Sequence, residues 1–213
     1  MSIIDQDLHQ FSTYIQPINL TFHQYFLCTD QPLLLHTGNV QQATALVPQL
    51  KAILNSKTLK YIFVSHFEAD ECGGLSYILE HFPEAKPICS EVTARQLSGF
   101  GLANEFIIMK PGERLTTNEY ELEFFSYPCE MHLWEGLLVM ENRRGIFFSS
   151  DLMMRFGEAS GNVVGSNWHT EINNIRSEQV PDPVRLAQLQ QSLMRLDPRF
   201  VATGHGPCLK ISK

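Results

Sequence analysis

One stretch limits what this chain can be. Tyr61-Ile62-Phe63-Val64 is a short apolar run of the kind that makes a buried strand, and Ser65-His66-Phe67-Glu68-Ala69-Asp70-Glu71 follows it directly. Four ionisable side chains, His66, Glu68, Asp70 and Glu71, therefore fall within six residues at a strand end. Gly73-Gly74 then lets the backbone turn. Leu75, Ile78, Leu79 and Phe82 share one face of the helix that follows, and Pro83 stops it. A loop held between a strand and a helix is a rigid place for ligands. Carboxylates gathered there repel one another unless a cation holds them, so the stretch points to metal binding. The alternative is a solvated loop in which His66 and Asp70 merely cap the helix.

The rest of the chain supplies strands and helices in a mixed order. Thr21 to Leu27 and Pro32 to His36 read as a β-hairpin. Val40 to Leu54 reads as a helix with Val47, Leu50 and Leu54 on one face, interrupted by Pro48. Pro87 to Cys89 and Phe106 to Met109 are short strands, and Ser90 caps a helix through Leu97 that Gly99 ends. Glu121 to Ser126 alternates, and Leu137 to Met140 and Ile146 to Phe148 flank a turn. Residues Arg155 to Gln179 have few apolar positions and read as a long connection with short helical pieces. Asp182-Pro183 starts a helix carrying Leu186, Leu189, Leu193 and Leu196, and Phe200 to Thr203 is the last expected strand. This order fits an α/β (α+β) protein, and an αββα sandwich of two mixed sheets with helices outside satisfies it. Nothing suggests a linker, so residues 1–213 are expected to form one domain.

Composition excludes several functions. The 213 residues carry a formal net charge of −7 and no basic stripe, which argues against nucleic acid and anionic membrane as partners. No apolar run is long enough to span a bilayer. Met1 to Gln10 has two Asp and no basic residue, unlike a signal peptide. The five Cys, at 28, 72, 89, 129 and 208, are scattered and form no Cys-x-x-Cys, so neither a zinc knuckle nor a disulfide framework is expected. The cytoplasm is the default compartment.

Four places share a pattern, a strand followed at once by a potential ligand. His66, Glu68, Asp70 and Glu71 follow the first, His132 comes after Glu121 to Tyr127, Asp151 after Ile146 to Ser150, and His205 after Phe200 to Thr203. If those strand ends lie at one edge, the side chains converge. Three imidazoles with three or four carboxylates suit two divalent ions, one carboxylate bridging them.

His66-x-Glu68-x-Asp70 with His132, Asp151 and Gly204-His205-Gly206-Pro207 resembles the metallo-β-lactamase fold. Glu68 in the second position looks most like its flavodiiron branch, which includes stand-alone oxygen-binding di-iron proteins. Thr21 to Leu27 resembles the family's opening strand, His132-Leu133-Trp134-Glu135 its His-Trp-Pro-acid segment, and Phe147 to Asp151 the strand that delivers the bridging Asp. The resemblance covers most of residues 18 to 209. It assigns His66, Glu68 and His132 to a first metal and Asp70 and His205 to a second, with Asp151 bridging. It implies two iron ions, zinc or manganese being the alternatives. A carboxylate at position 68, where zinc hydrolases of this fold usually have His, adds charge and a harder donor that stabilises oxidised iron. The implied function is binding or reduction of O2 or NO, as an oxygen sensor or carrier, or as a reductase fed by a separate electron donor. A signalling protein and a second copy in a homodimer are further expected partners. The alternative function is a di-zinc hydrolase of a thioester, lactone or phosphoester.

Two departures from the family stand out. The motif usually continues Asp-His, and here Asp70 is followed by Glu71, which either ligates the second metal or points away. Flavodiiron proteins carry a flavodoxin-like domain after this core, for which 213 residues leave no room, and no Gly-rich phosphate loop is present. No flavin and no internal electron donor are therefore expected. Among the other histidines, His23 lies on the opening strand as a candidate metal or supporting group. His9 is expected in a frayed terminus, His36 at a strand end and His81 at a helix end, none with a role, and His169 is a weaker candidate. Cys72 reads as a buried inert thiol.

Overall fold

Leu33, Leu34 and Leu35 are all buried, yet they point into different cores. Leu33 and Leu35 face a core between two sheets, while Leu34 faces helices on the other side. An unbroken apolar run is what a strand covered on both faces requires. The computed structural model describes residues 1–127 and 136–212.

The first sheet contains β1 (Ser2–Asp5), β2 (Leu8–Ile15), β3 (Leu20–Leu27), β4 (Leu33–Leu35), β5 (Tyr61–Phe63), β6 (Lys86–Cys89) and β7 (Ile107–Ile108) in that spatial order. Neighbours are antiparallel from β1 to β4 and parallel from β4 to β7. Its outer face is covered by α1 (Val40–Leu54) and α3 (Leu75–His81), with α2 (Ala69–Cys72) and α4 (Glu91–Gly99) nearby. Asn39 caps α1 in a reciprocal capping box with Gln42, and the helix continues through Pro48.

The second sheet runs β12 (Val163–Asn167), β14 (Cys208–Ser212), β13 (Phe200–Thr203), β11 (Ile146–Ser150), β10 (Gly136–Glu141), β9 (Glu121–Tyr127) and β8 (Arg114–Thr116). Helices α5 (Trp168–Asn173) and α6 (Pro183–Leu193) cover its outer face, where Phe147 meets Trp168 edge to face at 5.4 Å. Ile146 and Phe148 point the other way, into the core shared with Tyr25, Phe63 and Leu35. The protein is thus α/β, two mixed seven-stranded sheets face to face with helices outside.

Four expectations need correction. The N-terminal residues are not frayed: β1 and β2 extend the first sheet, and His9 lies within β2. Asp5 pairs with Arg199 and Asp7 with Arg144, which ties this hairpin to the second sheet. The connection from Arg155 to Gln179 contains β12 as well as α5. A further strand, β14, follows Phe200–Thr203, and Arg114–Thr116 forms β8. Sheet pairing across long chain separations supplied structure that local pattern did not.

Candidate metal centre

The donors gather where strand ends of both sheets meet. β5 delivers Ser65 and His66, and Leu137 N at the start of β10 donates to Ser65 O at 2.8 Å. Gly136 lies so close that a Cβ there would stand 2.7 Å from Ser65 O and 2.9 Å from His66 Cβ. At the end of β11, Ser150 takes a left-handed backbone conformation, φ 48°, just before Asp151. Strain of this kind in a residue other than glycine persists only where its surroundings hold it. Gly204 N donates to Ser150 O at 2.8 Å, and a Cβ on Gly204 would meet that oxygen at the same distance. The glycines before and after His205 therefore serve close packing, Gly206 also having φ 85°.

Two histidines are oriented by hydrogen bonds behind them. His205 Nδ1 donates to Thr21 O at 3.2 Å, and His66 Nδ1 is bonded to Ser65 Oγ at 2.9 Å. Ser65 Oγ continues to Ser150 Oγ at 2.8 Å. With the proton on Nδ1, each Nε2 turns a lone pair toward the carboxylates. His66 Nε2 lies 3.4 Å from Asp151 Oδ2, 3.7 Å from Glu68 Oε2 and 3.7 Å from Glu71 Oε2. His205 Nε2 lies 3.3 Å from Asp151 Oδ1 and 3.4 Å from Asp70 Oδ2. Ligating atoms of His66, Glu71 and Asp151 all lie within 4.8 Å of one another, as do those of Asp70, Glu71 and His205.

The electrostatics match this crowding. Burial, then the charges of Asp151 and Asp70, hold the Glu71 carboxyl well above its ordinary value. Burial, then Asp151, raises Asp70 as well, opposed by His205. Burial works to lower His205, but Asp151 and Asp70 outweigh it and the imidazole is raised. Glu71 Oε2 is buried with no hydrogen-bond partner among the described residues. Buried carboxylates that raise one another's pKa, one oxygen lacking a donor, and imidazoles turned toward them fit divalent cations. Oxygen and imidazole donors suit iron, manganese or zinc.

Of the sequence-predicted residues, the structure brings together His66, Glu68, Asp70, Asp151 and His205. His132 lies outside the described residues. Glu71 does not point away; its carboxylate lies among the donors. His23 joins neither donor group, because its ring is engaged elsewhere: Nε2 donates to Gly206 O and Nδ1 pairs with Ser12 Oγ, both at 2.8 Å. It braces the loop that carries His205, and burial lowers its pKa to about 4. His169 is on the exposed side of α5 and His81 ends α3. Cys72 donates to Glu68 O at 3.1 Å, and burial pushes its thiol up to about 12. Sequence reasoning missed Tyr127 and His36. The Tyr127 ring packs on His66 at 4.9 Å, and burial and then Asp151 push its hydroxyl up. His36 is buried beside the site, its pKa lowered to about 3 by burial and then by His66. Only the alternation of β9 pointed to Tyr127. Glu68 also lines an apolar cavity of about 450 Å³ with Phe67, Leu75, Leu97, Phe100 and Leu102.

The αββα sandwich with His and acidic donors at the sheet edge defines a metallo-β-lactamase-like protein. A family model described as ODP family beta lactamase matches residues 20–206, and the chain belongs to that family. The coenzyme F420H(2) oxidase of Methanothermobacter marburgensis is 26% identical over 156 residues, which is 70% of this chain and 38% of the oxidase. A nitric oxide reductase of Moorella thermoacetica is 26% identical over 110 residues, 51% of this chain and 28% of the reductase. Among solved structures, rubredoxin oxygen:oxidoreductase of Desulfovibrio gigas superposes with a TM-score of 0.80 at 17% identity, covering 98% of this chain and 57% of that one. The flavodiiron core of a Synechocystis protein, Flv1, gives 0.73 at 19% identity, covering 95% and 54%. The chain thus spans well under half the length of these curated relatives. No helix among the described residues is long and apolar enough to cross a membrane.

Proposed function

We propose that this chain holds two iron ions and binds or reduces O2 or NO at them. His66, Glu68 and His132 would hold one ion, Asp70 and His205 the other, with Asp151 shared. The observation that carries this reading is the placement of Asp151, with one carboxylate oxygen toward each histidine. Membership of the ODP family supports it, as do relatives named as an oxidase and a nitric oxide reductase. Iron held by these residues would supply the electrons that reduction of O2 or NO requires. The protein's part is to fix donor positions through Ser65, Ser150 and Thr21, with the Tyr127 ring packed on His66. The proposal extends to a role as sensor, carrier or partner-fed reductase, and to a homodimer in the cytoplasm.

The test is anaerobic reconstitution with ferrous iron, metal counting, and an optical spectrum before and after air. Two irons per chain and a new band with O2 support the proposal, and reversal on removing O2 marks a carrier. Tight zinc, weak iron and no response to either gas would overturn it in favour of a hydrolase.

A further inference from the structure

Glu71 stands where the two donor groups overlap. Its carboxylate belongs with His66 and Asp151 on one side and with Asp70 and His205 on the other. The residue is 1% exposed, so bulk water does not solvate it; its carboxyl meets the Asp70 carboxyl, another acid, and Oε2 has no hydrogen-bond partner among the described residues. A side chain used only for packing would not place an unsatisfied carboxylate oxygen 3.7 Å from an imidazole nitrogen. We propose that Glu71 is a second carboxylate shared by both metal ions, beside Asp151, and that its charge fits the site to neutral diatomic ligands and against anions. This rests on the dinuclear reading above.

The selectivity follows from counting charge. Glu68, Asp70, Glu71 and Asp151 together carry four negative charges, and His66 and His205 are neutral ligands. Two divalent ions balance them. A site without net charge gives an incoming anion no electrostatic reward, while O2 and NO are indifferent to it. A neutral histidine at position 71 would leave one surplus positive charge, and with it an attraction for hydroxide, azide or phosphate. Glu71 therefore acts on what binds, beyond whether metal binds.

Cobalt(II) tests this without gas chemistry. The metal-free chain and its Glu71→Gln, Glu71→His and Glu71→Asp variants are loaded with cobalt, the metal counted, and azide titrated by visible absorption. Wild type is expected to hold two ions and bind azide weakly. Glu71→Gln should lose affinity for both ions, and Glu71→Asp, which keeps the charge but loses reach, should loosen metal without gaining azide. Glu71→His should hold two ions and bind azide about ten- to hundred-fold more tightly, the effect of one unit charge in a partly buried site. Two ions at wild-type affinity in Glu71→Gln, or unchanged azide affinity in Glu71→His, would overturn the proposal. A wild-type chain holding fewer than two ions would overturn the dinuclear reading and this inference together. If the cobalt series behaves as expected while the iron form ignores O2 and NO, only the proposed gas chemistry falls.

Discussion

The hydroxyls of Ser65 and Ser150 meet at 2.8 Å, one at the end of a strand in each sheet. Through that contact the second sheet steadies the imidazole carried by the first, because Ser65 Oγ also holds His66 Nδ1. Replacing Ser65 by Ala leaves the ring free to turn and its Nδ1 without this partner. Metal affinity is expected to fall about ten-fold or more, typical for loss of a group behind a ligating histidine. Competition with a chromophoric chelator measures it, and an unchanged affinity would remove Ser65 from the argument.

Asp151→Asn separates metal binding from stability. The variant keeps the shape but removes the charge that raises both Asp70 and Glu71. In the metal-free chain the variant relieves repulsion on Asp70 and Glu71 but gives up the attraction between Asp151 and His205, so its stability is expected to change little. The extra stability conferred by metal should vanish, since affinity for both ions falls at least about 100-fold. Thermal melts with and without added cobalt give both numbers.

Gly136→Ala should destabilise by about 1–3 kcal/mol, the usual cost of forcing atoms into a packed site. The new methyl would meet the Ser65 carbonyl and the base of His66. Gly165→Ala is the control, because nothing lies within 4 Å of a Cβ there. Urea midpoints of the two variants should part clearly, with Gly165→Ala close to wild type.

Acid should weaken the metal-free fold through His23. Its folded pKa of about 4 lies below the ordinary 6.5, so the unfolded chain takes up the proton first. The stability that neutral His23 contributes is complete above pH 6.5 and is lost as pH falls toward 4. The slope is about 1.4 kcal/mol per pH unit while only the unfolded state is protonated. Urea midpoints across this range should fall less steeply in His23→Gln than in wild type. Parallel profiles would contradict the assignment.

The site was more legible than the sheet edges. Residues 61–71 place a strand, donors and a turn within one local stretch, so apolar period and residue chemistry gave the arrangement directly. His205 was legible because it follows the apolar run Phe200 to Thr203 directly, within Gly204-His205-Gly206-Pro207. β1, β2, β12 and β14 were not, because their stabilisation is remote: Asp5 and Asp7 meet Arg199 and Arg144 far along the chain. Val163–Asn167 is half exposed and has no alternation of its own, so only pairing with Cys208–Ser212 makes it a strand. Tyr127 reads as the end of an alternating strand, and nothing local says that its ring lies on His66. Glu71 could be placed beside the site but not turned toward it until the two sheets were put together.

The order in which the donors occur along the chain has a consequence for biosynthesis. Asp70 and Glu71 emerge from the ribosome long before Asp151 and His205. Until residue 205 has been made, the first acidic cluster has no complete set of partners. On the proposed di-iron reading, a truncated product that stops before β13 would lack His205 and could not complete the donor set of the second ion, so loading of both ions would wait for the finished chain.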